Sequence, residues 1–148
     1  MELYDRIKNI RGNNNEEVLK TSILNVREKL KGLVEERMCK VYSGFLIEEL
    51  NKNHVPSRLV NTLDLNLEYE HEFVLVPSNE KGYFLADLTF SQFNNEENEL
   101  INLSTFGYQY MDDSCLKMYL SIISNGYNLC DICIDDMFYG TQSFGSKK

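Results

Sequence analysis

The sequence predicts an α+β domain in which N-terminal helices pack on an antiparallel β-sheet. Through the first third of the chain, apolar residues recur every three or four positions, the period of an amphipathic helix. From Val55 onward, they fall instead in short segments separated by turn-forming residues, which is typical of strands. Helices followed by an antiparallel sheet characterise the α+β class, and 148 residues suit a single domain spanning 1–148.

Three helices are predicted before the sheet, over residues 1–12, 16–34 and 39–53. The second carries the longest apolar stripe, and Asn14 followed by Glu17 is typical of a capping pair at its start. The helical pattern loosens near Glu35 and then resumes. Cys39 is therefore expected at the N-terminus of the third helix.

The sheet core is predicted over residues 55–93. Strands are expected over 57–65, 70–77 and 83–90, followed by a short strand or helix at 100–106 and a helix over 113–125. The segment from Pro77 to Gly82 is rich in turn residues, which predicts a hairpin centred on residue 79. In that register His71 lies directly opposite Asp87 on one face, with Cβ atoms about 4.5–5.5 Å apart.

Composition and charge exclude several functional classes. The net charge of −8 repels phosphate groups, so neither nucleic acid nor an anionic membrane surface is an expected partner. No apolar run approaches the roughly 18 residues of a membrane span, and the first residues lack the pattern of a signal peptide. The expected location is the cytoplasm, or outside the cell by a route that needs no signal peptide.

No metal site is predicted. The four cysteines are irregularly spaced and are expected to be free thiols in a reducing compartment. Cys130 and Cys133 form a lone C-x-x-C without a second pair of zinc ligands. The pairs Asp112-Asp113 and Asp135-Asp136 do not have the spacing of a calcium loop.

Cys39, His71 and Asp87 have the residue types of a nucleophile, a base and the acid that orients the base. A helix N-terminus stabilises a thiolate through its dipole and its free backbone N–H groups. A carboxylate beside an imidazole selects the tautomer and stabilises the imidazolium. The residues alone leave an alternative open, in which Cys39 is a small core side chain and His71 a solvated strand end.

The segments 71–76 and 82–93 resemble the papain-like and transglutaminase-like superfamily of cysteine hydrolases. Within it they are most similar to the protein-glutamine deamidase domains of bacterial toxins and secreted effectors. In those domains a Cys opens a helix, a His starts a strand, and an Asp follows in the pattern D-x-T-x-x-Q-F. The residues that match this last pattern are Asp87, Thr89, Gln92 and Phe93.

The resemblance implies a papain-like fold and a cysteine hydrolase that acts on a protein or peptide without a cofactor. Cys39 would attack a carbonyl carbon to form a thioester, His71 would act as base, and Asp87 would orient His71. Thr89 and Gln92 would lie next to these three residues and help to hold them in position or to stabilise the oxyanion. Glutamine deamidation is the favoured reaction, and the alternatives are a cysteine protease, an acyltransferase, or an inactive protein-interaction module.

The residues around Cys39 depart from the patterns of the better-known relatives. Lys40 follows the cysteine where transglutaminases have Trp. No Gln precedes Cys39, although papain-like enzymes often use an upstream Gln side chain at the oxyanion hole. The candidates to replace it are the helix backbone or the side chains of Asn13, Asn14, Asn15 and Asn25. This gap motivates the hypothesis of an inactive module.

Overall fold

A computed structural model describes residues 14–32, 38–65, 67, 70–79, 81–90, 98–123 and 138. Several predicted features lie outside these residues: the helix over 1–12, the side chains of Asn13, Gln92 and Phe93, and the segment that contains Cys130, Cys133 and Asp135-Asp136.

Two helices come first along the described chain: α1 (Asn15–Lys29) and α2 (Cys39–Lys52). The Asn14 side chain caps α1 by accepting the backbone N–H of Glu17 at 3.3 Å. Helix α1 ends five residues before the predicted position 34, and Gly32 follows it with a φ of +90°. Helix α2 begins at Cys39, so this residue occupies the first helical position.

The sheet contains, among the described residues, four antiparallel strands in the order β1-β2-β3-β4. They are β1 (Arg58–Asn61), β2 (Glu72–Pro77), β3 (Tyr83–Ala86) and β4 (Tyr108–Met111). A 3-10 turn over Thr62–Leu65 replaces the second half of the strand predicted over 57–65. The mixture of helices with an antiparallel sheet confirms the α+β class.

Helices cover both faces of the sheet in the described part of the chain. One face packs against α1 and α2 through Val74, Val76, Phe84 and Ala86. The other packs against α4 (Asp113–Ile123) through Phe73, Leu75, Tyr83 and Leu85. A short helix α3 (Ile101–Phe106) precedes β4. The prediction had covered the sheet with the N-terminal helices alone, so α4 adds a layer that it lacked.

The predicted register of the β2–β3 hairpin is wrong by two residues. Pro77 pairs with Tyr83, whereas the prediction paired Val76 with Gly82. The turn itself decides this, because the Ser78 N–H donates to the Gly82 carbonyl at 3.0 Å and Gly82 adopts a φ of +81° that favours glycine. A displacement by an even number of residues leaves every side chain on its face.

Candidate active site

Three structural elements end at the same point and bring Cys39, His71 and Asp87 together. Cys39 opens α2, His71 directly precedes β2, and Asp87 directly follows β3. Because β2 and β3 are antiparallel neighbours, the start of one lies beside the end of the other. Helix α2 is tied to the same place from its second turn, since Ser43 Oγ donates to the Glu72 carbonyl at 3.2 Å.

His71 and Asp87 form a buried hydrogen-bonded pair. His71 Nε2 lies 2.7 Å from Asp87 Oδ2, and the two residues are 3% and 2% exposed. They are diagonal neighbours rather than the directly opposed pair that was predicted, but diagonal positions remain within reach of long side chains. Thr62 holds the His71 backbone from both sides, because its Oγ1 accepts the His71 N–H at 2.8 Å and its own N–H donates to the His71 carbonyl at 2.9 Å.

The Cys39 thiol is half-buried, and the groups that act on its pKa include the His71 side chain and the backbone of Glu72. Since Asp87 occupies Nε2 of the imidazole, the nitrogen left for Cys39 is Nδ1. The imidazole thus interacts electrostatically with the thiol and hydrogen-bonds to the buried carboxylate.

The electrostatics of Cys39, His71 and Asp87 favour a thiolate beside an imidazolium. Burial by itself raises the pKa of the Cys39 thiol, but the hydrogen bond from His71, the Glu72 backbone and the imidazolium charge outweigh it and lower that pKa. Burial likewise opposes the charged form of His71, yet the hydrogen bond and charge of Asp87, followed by those of Cys39, raise the pKa of the imidazole to about 9. Both shifts move the shared proton from sulfur to the ring.

The Asp87 carboxylate accepts four hydrogen bonds. Thr89 donates to Oδ1 from its backbone N–H and its Oγ1, each at 3.1 Å. On Oδ2, Tyr119 Oη donates at 2.6 Å beside His71 Nε2. Burying a charge is costly unless hydrogen bonds satisfy it, and here both oxygens are satisfied. Of the two supporting residues that the resemblance implied, Thr89 contacts Asp87 and the Gln92 side chain lies outside the described residues.

Tyr119 was not among the predicted site residues. This residue belongs to the apolar stripe of α4 together with Leu116, Leu120 and Ile123, so its spacing indicates a core aromatic residue. No local signal marks the hydroxyl as a partner of Asp87, because 32 residues separate the two along the chain.

An exposed polar rim lies beside Cys39 and was also missed. Lys40 Nζ lies 2.6 Å from Glu70 Oε2, which joins the start of α2 to the segment that leads into β2. Asn61 Nδ2, at the end of β1, donates to Glu70 Oε2 at 2.9 Å and to Glu72 Oε2 at 3.0 Å. The rim thus links three elements around the sulfur.

Backbone N–H groups at the start of α2 are the described candidates for oxyanion donors. The N-cap residue Met38 makes no side-chain capping bond, and the described helical bonds begin with Tyr42 N–H to the Met38 carbonyl at 3.0 Å. The N–H groups of Cys39, Lys40 and Val41 precede that bond, at the positions where a helix leaves its donors without helical partners.

The asparagine side chains proposed as oxyanion donors lie elsewhere. Asn14 caps α1. Asn15 Nδ2 donates to the Pro77 carbonyl at 3.1 Å, at the end of β2 that is remote from His71. Asn25 Nδ2 donates to Glu49 near the end of α2 at 3.4 Å. These three candidates are therefore wrong, and the fourth, Asn13, falls outside the described residues.

The remaining predicted features have structural explanations. Asp112 caps α4 by accepting the Cys115 N–H at 2.8 Å. His54 is exposed in a turn with a φ of +60°. Within the described ranges, no cluster of three or more metal-ligating side chains occurs, and no helix has both the length and the apolar character needed to cross a membrane.

No known family model matches the chain, and no match was found among curated proteins or among solved structures. The papain-like assignment accordingly stays a prediction.

Proposed function

We propose that this protein is a papain-like cysteine hydrolase in which Cys39, His71 and Asp87 form a catalytic triad. The observation that carries the proposal is the buried His71–Asp87 hydrogen bond, together with a half-buried Cys39 at the start of α2 whose thiol pKa is lowered by His71. A lowered thiol pKa beside a raised imidazole pKa is the electrostatic condition that an attacking cysteine requires.

The first half of the reaction forms a thioester. The Cys39 thiolate attacks the carbonyl carbon of an amide, and the carbonyl electron pair moves to oxygen. The backbone N–H groups at the start of α2 stabilise this oxyanion. When the carbonyl re-forms, the carbon–nitrogen bond breaks, and the His71 imidazolium gives its proton to the departing nitrogen. The products are ammonia or an amine, an acyl-thioester on Cys39, and a neutral imidazole.

The second half hydrolyses the thioester. Neutral His71 takes a proton from water while the water oxygen attacks the thioester carbon. Collapse of this intermediate breaks the carbon–sulfur bond and releases the carboxylic acid, with the thiolate and imidazolium restored. In both halves of the reaction Asp87 orients the ring and stabilises the imidazolium.

The proposed substrate is a glutamine side chain of a protein, and the proposed setting is the cytoplasm or a cell reached without a signal peptide. The resemblance of segments 71–76 and 82–93 to deamidase domains of toxins and effectors supports this choice. The half-buried sulfur, next to the exposed Lys40–Glu70 ion pair, supports a site at the protein surface. Peptide cleavage and acyl transfer would pass through the same thioester.

Thiol reactivity tests the proposal, with Cys115 as the internal control. Cys115 is also half-buried, but burial and the nearby Asp112 raise its pKa, so it remains a thiol at neutral pH. We expect iodoacetamide to modify Cys39 at least about tenfold faster than Cys115 at pH 7, as followed by peptide mass spectrometry. His71→Ala should abolish this difference.

Ammonia release from glutamine-containing proteins, with Cys39→Ser as the control, then tests the reaction. Equal alkylation of Cys39 and Cys115 would refute the hydrolase and favour the interaction module. Fast alkylation with peptide cleavage instead of ammonia release would identify a protease.

A further inference from the structure

We propose that Tyr119 is a positioning residue that holds Asp87 in place and weakens the stabilisation of the His71 imidazolium by Asp87. Tyr119 thereby sets the pH above which the imidazolium is lost. The inference rests on the proposed function of the site, but its physical content concerns a proton on His71. It is carried by the geometry at one carboxylate oxygen.

Asp87 Oδ2 is shared between two donors. His71 Nε2 lies 2.7 Å from it and Tyr119 Oη 2.6 Å, and all three groups are buried. The Tyr119 hydroxyl stays protonated, because burial, the charge of Asp87 and its hydrogen bond to Asp87 raise its pKa well above the ordinary value. Tyr119 is therefore a permanent donor to the oxygen that stabilises the imidazolium.

A second donor to the same oxygen weakens the interaction of that oxygen with the first. The hydroxyl proton draws electron density from Oδ2 and neutralises part of its charge. Without the hydroxyl, the full charge of Oδ2 would act on His71 Nε2–H. The imidazolium would then be held more strongly and would persist to higher pH.

Tyr119→Phe removes this donor with little other change. The ring packs edge-on against Phe73 at a centroid distance of 5.1 Å and at a tilt against Phe90 at 5.4 Å, contacts that phenylalanine retains. The space left by one hydroxyl is smaller than the ~30 Å³ share of a water molecule, so water does not replace the donor. Thr89 still donates twice to Oδ1 and keeps the carboxylate in its orientation.

Among the described residues, the charged and titratable groups named around His71 come from three elements. Asp87 contacts the ring from the end of β3, Cys39 from the start of α2, and Tyr119 acts from α4 through Asp87. The Lys40–Glu70 ion pair and Glu72 belong to the exposed rim, where solvent screens their effect. In the described part of the chain, Tyr119 is thus the second donor to the Asp87 oxygen that faces His71.

Histidine NMR tests the proposal directly, since the chain has two histidines and the exposed His54 serves as an internal reference. We expect the pKa of His71 to rise by about 0.5–1 unit in Tyr119→Phe, while the resonances of His54 stay in place. Thr89→Val is the matched control, because it removes one hydrogen bond from the other oxygen of the same carboxylate. Its effect on His71 should be less than half as large.

An unchanged or lowered His71 pKa in Tyr119→Phe would overturn the proposal, as would an equal rise in Thr89→Val. The same comparison in a Cys39→Ser background separates this result from the hydrolase hypothesis. A protein without turnover would still show the shift if Tyr119 acts as proposed.

The unmodified protein supplies a measurement that depends on no variant. The buried Tyr119 hydroxyl proton should give a downfield resonance that moves as His71 titrates, because both groups donate to Oδ2. If the chemical shift of the Tyr119 hydroxyl proton does not change as His71 titrates, the proposal is overturned, even if Tyr119→Phe fails to fold.

Discussion

Replacement of Asp87 by asparagine isolates the contribution of this carboxylate to His71. The pKa of His71 rises from its ordinary value of 6.5 to about 9 in the folded protein. One pKa unit corresponds to about 1.36 kcal/mol, so the protonated ring contributes about 3 kcal/mol to the free energy of unfolding. Because the folded pKa is raised, this contribution is fully present below pH 6.5 and disappears as the pH rises through 9.

The expected result is a destabilisation that depends on pH. The comparison is between the Cys39→Ser protein and the same protein with Asp87→Asn added, so that no thiol titrates at this position in either. Asp87 contributes more than Cys39 to the raised pKa of His71. Asp87→Asn should therefore lower the free energy of unfolding by about 2–3 kcal/mol more at pH 6 than at pH 10. Urea denaturation at the two pH values measures this difference, and the titration of other groups cancels between the two proteins.

Catalysis should fall further than stability in Asp87→Asn. Because Thr89 donates twice at the Oδ1 position, the substituted asparagine keeps its amide oxygen there and turns its NH2 group toward Nε2. A donor at Nε2 favours the imidazole tautomer that carries its proton on Nδ1, the nitrogen assigned to Cys39. A ring in this tautomer does not accept the thiol proton, so turnover should drop by about 10³–10⁴-fold with the fold preserved. A destabilisation that is equal at both pH values, or turnover at the wild-type level, would refute the assigned role of Asp87.

Two further predictions concern the scaffold of the site. Thr62→Val leaves the His71 N–H without its acceptor and should lower the free energy of unfolding by about 1–3 kcal/mol, as measured by urea denaturation. An unchanged free energy of unfolding in this variant would contradict the role of Thr62 in holding the His71 backbone. Gly82→Ala places a Cβ against the Tyr110 ring at a φ of +81° and should lower the melting temperature. Gly44→Ala, in the open interior of α2, should raise the free energy of unfolding by about 0.5–1 kcal/mol. A Gly82→Ala protein more stable than the Gly44→Ala protein would refute the turn geometry.

Local patterns in the sequence were enough to predict the α+β class and the helix that begins at Cys39. The apolar stripe that resumes after residue 35 places Cys39 at a helix start, because an amphipathic pattern is a property of neighbouring residues. Alternation along a strand likewise put His71 and Asp87 on one face, and the even displacement of the register did not alter that.

Other features depended on contacts between distant parts of the chain. The hairpin register followed from the Ser78–Gly82 turn rather than from the midpoint of a polar segment. Strand β4 was not predicted, because it is a short edge strand whose side chains show no strict alternation of burial, and pairing with β3 defines it. Asn14 and Asn15 were expected as possible oxyanion donors, but both lie at the start of α1, where Asn15 contacts the end of β2 that is remote from His71.

The sequence by itself determined the residue types of a nucleophile, a base and an acid, and the helix and strand ends on which they lie. Only the tertiary structure decided that Tyr119 from α4 shares the Asp87 oxygen with His71, and that Lys40 and Glu70 form the rim. The physical reason is that periodicity records which face of an element is buried, whereas a hydrogen bond across 32 residues depends on how the packed layers align.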